Sequence, residues 1–201
     1  MRIIAGLEKG RRLRTLRGAA LRPTADRVRE SVFGTLGERV RGARFLDLYA
    51  GSGAVGLEAL SRGAAHATFV ESHRPAARLI EENAERCGVR DRARVLSLPA
   101  IRALGLLARQ GAEFDLVFVD PPYGAGEAAR ALEEIAGRPG LLAAGGMVMC
   151  QHSRREEMPE SVGPLARMKR ARFGETVVDF YERASRVEES SELPTQRRRE
   201  E

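Results

Sequence analysis

Between residues 43 and 151 the chain alternates short apolar runs with longer stretches whose apolar positions recur at helical spacing. This pattern predicts strands near 43–49, 66–71, 93–97, 114–120 and 145–151, and helices near 54–62, 75–87, 99–110 and 126–137. Strand–helix alternation of this kind specifies an α/β fold, a mostly parallel sheet with helices on both faces. After Gly163 the rhythm changes: Leu165–Phe173 and Thr176–Arg183 flank Gly174-Glu175, an antiparallel hairpin that closes one sheet edge and brings the strands to seven. Ahead of the alternation, Arg2–Ala5 and Arg11–Thr15 flank Gly6-Leu7-Glu8-Lys9-Gly10, a five-residue hairpin signal. A helix follows, with Thr24 as its N-cap and Val28, Val32, Phe33, Leu36 and Val40 on one face.

Charge divides the chain differently from hydropathy. Residues 1–44 hold 12 basic and 4 acidic side chains, a net of +8, whereas 45–201 hold 22 and 24, a net of −2. The net +6 of the whole therefore belongs to the N-terminal segment, and an anionic partner is expected there. The organisation that results is a basic hairpin and helix over 1–42, an α/β domain over 43–183, and a Glu-, Ser- and Arg-rich tail over 184–201 that predicts disorder. With 43% apolar residues the chain is not disordered as a whole, and no apolar run approaches the ~20 residues that span a bilayer. Two cysteines, Cys87 and Cys150, make neither a disulfide framework nor a metal-ligand spacing, and the start lacks a signal-peptide core. A cytoplasmic, metal-free thiol protein is expected.

The first predicted strand runs into Asp47-Leu48-Tyr49-Ala50-Gly51-Ser52-Gly53-Ala54-Val55-Gly56. Gly51, Gly53 and Gly56 satisfy G-x-G-x-x-G between a strand and a helix, where glycines permit a sharp turn and close approach of a ligand. Glu71 ends the second strand 20 residues after Gly51, where an acid can accept hydrogen bonds from both ribose hydroxyls. A nicotinamide cofactor would place its pyrophosphate at the helix N-terminus. S-adenosylmethionine carries no phosphate, and its amino and sulfonium cations favour a carboxylate such as Asp47.

The fourth strand ends in Asp120-Pro121-Pro122-Tyr123-Gly124. In an open parallel sheet this turn lies beside the glycine loop, because ligands bind beyond the carboxyl ends of the strands. Asp120 and the Pro121 carbonyl can accept the two hydrogens of a planar exocyclic amine, drawing its nitrogen toward a pyramidal shape. Pro122 stiffens the turn, and Tyr123 can stack on the base.

Asp-Pro-Pro-Tyr after a Gly-x-Gly strand loop resembles the class I methyltransferases that act on exocyclic amines of nucleobases. Arg2-Ile3-Ile4-Ala5-Gly6, Lys9-Gly10-Arg11 and Arg22-Pro23-Thr24-Ala25-Asp26-Arg27-Val28-Arg29-Glu30 narrow the resemblance to the bacterial 16S ribosomal RNA guanine-N2 methyltransferases acting on guanine 966. Gln151-His152-Ser153 and Arg172-Phe173-Gly174-Glu175-Thr176 fit the same family, and the similarity covers about residues 1–183. The resemblance implies a Rossmann-like class I methyltransferase fold, S-adenosylmethionine as methyl donor with S-adenosylhomocysteine as product, and 16S RNA in a 30S particle as substrate for a monomeric enzyme. The implied cofactor contacts are Asp47, Tyr49, Gly51, Ser52, Gly53, Glu71, Ser72, Ala100 and Asp120, and the catalytic group is Asp120, Pro121, Pro122 and Tyr123. Relatives often carry an acid after the third strand; here the run is Ser97-Leu98-Pro99-Ala100, which leaves adenine recognition to the Ala100 backbone. Gln151 stands where many relatives have an acid.

The RNA-backbone candidates are Arg2, Arg11, Arg12, Arg14 and Arg17, with Arg22, Thr24 and Arg27 bordering the active site. A DNA adenine-N6 methyltransferase, or another nucleobase amino-methyltransferase, could use the same turn, although the chain has no insertion large enough for a separate DNA-recognition domain. A nicotinamide oxidoreductase would explain the glycines but neither Asp-Pro-Pro-Tyr nor the basic segment.

Overall fold

A computed structural model describes residues 1–16, 23–122, 124 and 126–183, with backbone alone for 23–25. In chain order the elements are α1 (Pro23–Leu36), β1 (Arg44–Leu48), α2 (Ala54–Ser61), β2 (His66–Val70), α3 (Arg74–Arg86), β3 (Ala93–Leu96), α4 (Ala100–Arg109), β4 (Phe114–Val119), α5 (Glu127–Ala136), β5 (Leu142–Ser153), β6 (Ser161–Val162), β7 (Leu165–Phe173) and β8 (Thr176–Arg183). The strands form one sheet in the order β3-β2-β1-β4-β5-β8-β7-β6. The first five are parallel, and β8, β7 and β6 add antiparallel.

The sheet has eight strands where seven are predicted. The β7–β8 hairpin does not itself close the edge, because Ser161–Val162 pairs beyond β7, and two residues are too few to carry an alternating pattern. Helix α1 starts at Pro23, so Thr24 lies inside the first turn and is not its cap; proline's fixed φ and missing N–H suit a first helical position. Strand β5 extends past the predicted 145–151 at both ends, with its register against β4 shifting between Phe114 and Leu116.

Period-2 alternation along the strands sends side chains to two cores. On one face Phe45, Phe69, Phe118 and Phe180 meet α1, α2 and α3 through Val32, Phe33, Leu57, Leu60 and Ile80. Ile3 and Leu13 are buried in that same cluster, so the N-terminal segment packs onto the sheet. On the other face Leu46, Leu48, Val117, Val119 and Val148 meet Leu104, Leu107, Leu132 and Ile135 of α4 and α5.

The N-terminal hairpin is minimal. It consists of an Arg2–Arg12 bridge with Ile3 N donating to the Arg11 carbonyl at 3.0 Å and Leu13 N to the Met1 carbonyl at 3.0 Å. Its tie to α2 is polar and buried: the Glu58 carboxylate, fully enclosed, accepts from Ile4 N (2.7 Å) and Ala5 N (2.9 Å). Glu58 also pairs with Arg62 at 2.8 Å. Among the described residues no helix is long and apolar enough to cross a membrane.

Candidate active site at the carboxyl ends of β1 and β4

The chain leaves β1 toward β2 and β3 and returns to β4 on the other side, so the crevice between the ends of β1 and β4 is the topological switch point. Leu48 pairs with Val119, which sets Tyr49 and the glycine loop beside Asp120. One cavity opens there, and a second lies beside it over the ends of β1, β2 and β3. The first, about 190 Å³, is lined by Asp47, Ala50, Gly51 and Ser52 from the loop, by Asp120 and Gln151 from neighbouring strand ends, and by Met1, Arg29 and Val32. The second, about 310 Å³, is lined by Glu71, Ser72, Leu98, Pro99, Ala100 and Ile101 with Glu127 and Arg130. Tyr49 borders both.

Two glycines of the loop have separate causes. Gly53 sits at φ +77 as the residue before α2, a left-handed conformation glycine adopts without steric penalty. A Cβ on Gly56 would stand 2.3 Å from the Phe69 ring, so this glycine lets α2 lie close on β2. Tyr49 also has a positive φ, +69, unusual for a bulky side chain and of the kind found where a site over-determines the backbone.

Asp47 is buried, and its Oδ2 accepts from Gly56 N in the first turn of α2 at 2.9 Å. A buried carboxylate thus already sits against the first turn of that helix, and its negative charge disfavours a pyrophosphate beside it, which argues against the nicotinamide reading. Burial pushes the Asp47 carboxyl up to about 8, against the pull of the Gly56 amide and with added repulsion from Asp120 and Glu71. A cationic ligand group beside it would reverse that penalty. Glu71 Oε2 accepts from Gly51 N at 2.8 Å and Oε1 from His73 N at 2.8 Å, holding the carboxylate between the glycine loop and the second cavity. The first amides of α4, with Pro99 before them, carry no side-chain cap, and Ala100 lines the second cavity. Paired cavities, a buried acid at the loop and an acid at the second strand end fit S-adenosylmethionine.

Asp120, Pro121 and Pro122 follow β4 directly, with Pro121 buried and Pro122 exposed. Gly124 N beyond them donates to Glu156 Oε1 at 2.9 Å. Tyr123, Arg17, Arg22, the Thr24 side chain and the tail 184–201 lie outside the described residues. Arg2, Arg12 and Arg27 are exposed and form no ion pair among the described residues, whereas Arg11 pairs with Glu8 and Arg14 with Glu82. Next to Gln151, His152 is buried with Nε2 3.2 Å from Asp179 and Nδ1 2.8 Å from the Ser153 carbonyl. Asp179 is itself gripped by Arg170 at 2.6 Å, and these bonds hold it at about 2 despite its burial.

Several site residues escape motif reading. Arg29 is 3% exposed yet lines the first cavity, donating to the Arg2 carbonyl at 2.7 Å. Glu58 and Asn83 read as solvent-facing helix positions, and only their contacts, 53 and more residues away in sequence, reveal them as buried ties to the N-terminal segment.

Sheet order, switch-point cavities and the Asp-Pro-Pro turn define a class I S-adenosylmethionine-dependent methyltransferase. Within that class, the conserved hypothetical protein 95 family matches residues 1–182, and the chain belongs to it. It is similar to the Bacillus subtilis protein YlbH, with 37% identity over 183 residues that cover 91% of this chain and 99% of that protein. The Escherichia coli ribosomal RNA small subunit methyltransferase D is 43% identical over 123 residues, 61% of this chain and 60% of its own length. Among solved structures, the Escherichia coli protein yhhF superposes with a TM-score of 0.80 at 33% identity, covering 92% of this chain and 98% of that one. The Thermus thermophilus 16S rRNA N2 G1207 methyltransferase, in complex with AdoMet and guanosine, gives a TM-score of 0.66 at 25% identity, covering 84% of this chain and 45% of that one.

Proposed function

We propose that the chain methylates 16S ribosomal RNA in the cytoplasm, on the exocyclic N2 amine of a guanine that by family resemblance is guanine 966, and that it uses a 30S particle as substrate. The observation that carries this reading is the Asp120-Pro121-Pro122 turn at the end of β4, whose Asp120 lines a cavity shared with the glycine loop. S-adenosylmethionine, when bound, supplies an electrophilic methyl group. The chain's own part is positioning. Asp120 and the Pro121 carbonyl accept the two amine hydrogens and turn the nitrogen lone pair away from the base plane. The guanine is held out of its stack, and Tyr123 fixes its face. Asp47 in the first cavity holds the donor's cationic groups, and Glu71 in the second, across Tyr49, holds its hydroxyls. Arg2 and Arg12, both exposed, contact RNA phosphates, joined by Arg11, Arg14 and Arg17, and we assign Arg22, Thr24 and Arg27 to the border of the active site. No covalent enzyme intermediate is required, and Cys87 and Cys150 are both buried.

The names of the Escherichia coli and Thermus thermophilus relatives support the RNA substrate and the N2 position. The test is transfer of labelled methyl to 30S particles, naked 16S RNA and duplex DNA, followed by nuclease digestion and mass spectrometry. N2-methylguanosine from the RNA or particle is expected; label only in DNA, as N6-methyladenine, overturns the assignment.

A further inference from the structure

Asn83 lies in the third turn of α3 and is fully buried. Its carboxamide offers one acceptor and two donors, and all three are committed to backbone. Oδ1 accepts from Arg14 N at 2.8 Å, and Nδ2 donates to the Arg14 carbonyl at 3.0 Å and to the Ser52 carbonyl at 3.1 Å. Toward Arg14 the side chain thus mimics a neighbouring strand, bonding both peptide groups of one residue. Toward Ser52 it holds the tip of the glycine loop. A second contact runs alongside, from Ser52 Oγ to Met1 Sδ at 3.7 Å. The strand so held carries Arg11, Arg12 and Arg14, while Ser52 lines the cavity assigned to the methyl donor.

We propose that Asn83 is a positioning residue that couples the cofactor loop to the basic N-terminal strand, so that cofactor and RNA strengthen each other's binding. The inference rests on the cofactor and RNA readings given above. A carboxamide is planar and turns as a unit, so the Ser52 bond and the Arg14 pair are satisfied together only with the loop and strand in one mutual arrangement. Ordering the loop around a ligand fixes the Ser52 carbonyl, hence the Asn83 plane, hence the Arg14 backbone. By linkage, RNA held by the strand returns the same factor to cofactor affinity. Because every bond is to backbone, the coupling does not depend on which side chain stands at 14 or 52.

The experiment measures the affinity of S-adenosylhomocysteine with and without saturating 16S RNA, and of RNA with and without S-adenosylhomocysteine. A reciprocal enhancement of about fivefold or more is expected for the native chain. Asn83→Ala, which removes all three bonds, and Asn83→Asp, which removes both donors, should bring the ratio within about twofold of unity. Glu82→Ala breaks only the Arg14 ion pair and should keep it. A native ratio of one, or an undiminished ratio in Asn83→Ala, overturns the proposal; a merely structural role would change stability or both affinities and leave the ratio intact. Hydrogen exchange of the Arg14 amide in the native chain supplies a test that needs neither variant nor RNA. Added S-adenosylhomocysteine should slow that exchange, and an unchanged rate with the cofactor bound overturns the coupling even if Asn83→Ala does not fold. Absence of RNA binding in either state would defeat the RNA reading instead, with the exchange measurement still deciding the link from loop to strand. Absence of S-adenosylhomocysteine binding would overturn the cofactor reading and this coupling together.

Discussion

Tyr49 Oη donates to Glu127 Oε2 at 3.0 Å, a bond that joins the residue after β1 to the first residue of α5 over the end of the sheet. The ring stands between the two cavities, and burial together with Glu127 pushes its phenol well above the usual tyrosine range, so the hydroxyl stays a donor. Tyr49→Phe removes about 1 kcal/mol of hydrogen bonding and should weaken S-adenosylhomocysteine binding only about fivefold. Tyr49→Ala removes the partition itself and should weaken it well beyond that, with calorimetry reading the two against each other. Equal losses would mean that the ring separates nothing.

Asp120→Ala should abolish methyl transfer, by about 10²–10³-fold or more, because in the proposed mechanism Asp120 orients the amine. Asp120→Asn keeps one carbonyl acceptor and should retain more activity than the alanine variant. Both should bind S-adenosylhomocysteine within about threefold of the native chain if the carboxylate works on the acceptor side. Near-normal turnover in Asp120→Ala would remove the proposed mechanism.

What was legible in the sequence follows from where each signal lies. Phe45-Leu46-Asp47-Leu48 and Phe114–Val119 announce themselves as strands because both faces are buried, and the motifs after them sit at strand ends by chain order alone. The glycine loop, Glu71 and the Asp-Pro-Pro turn therefore converge where motif reading places them. Glu58, Ser61 and Asn83 were not legible, since a polar residue on a helix reads as solvent-facing unless its distant partner is known. Their partners in the N-terminal segment and the glycine loop are backbone amides and carbonyls of residues 4, 5, 8, 14 and 52, which have no residue-type signature. The arginine pattern 2, 11, 12, 14 showed charge but not that Ile3 and Leu13 between them reach the core.

Two glycines of the N-terminal turn should differ sharply. Gly6 and Gly10 have φ of +86 and +85, but a Cβ at Gly6 would lie 1.9 Å from the Ser61 carbonyl oxygen, whereas nothing lies within 4 Å at Gly10. Gly10→Ala should cost about 1–2 kcal/mol, the left-handed penalty alone. Gly6→Ala must also drive the segment off α2, breaking the Ser61 and Glu58 bonds, and should cost about 3 kcal/mol or more. Denaturant unfolding of the pair checks this; similar midpoints would show that the segment does not need its seat on α2.

Glu156 reaches from the loop after β5 to Gly124 N, next to the Asp-Pro-Pro turn. Glu156→Ala should lower kcat about threefold to tenfold through a looser turn, at roughly the value of one hydrogen bond, while S-adenosylhomocysteine affinity stays unchanged. Glu156→Gln preserves the acceptor and should restore most of kcat. Loss in both variants would point to the charge and not the bond.

The last expectation concerns protons. Asp47 has an ordinary value of 3.8 and is raised to about 8 in the fold by burial, with Asp120 and Glu71 adding repulsion. Between those values the native state binds more protons than the unfolded chain, so this group makes stability fall as pH rises through that window and level off above it. Placing the cofactor's ammonium and sulfonium beside the carboxylate favours its charged form and lowers its pKa. Binding below pH 8 must then expel up to about one proton, and affinity should rise with pH by at most about tenfold per unit before reaching a plateau. Calorimetric titration with S-adenosylmethionine at pH 7 in two buffers of different ionisation enthalpy reads the proton directly. Asp47→Asn should abolish both the release and the pH slope; release that persists in that variant would assign the proton to another group.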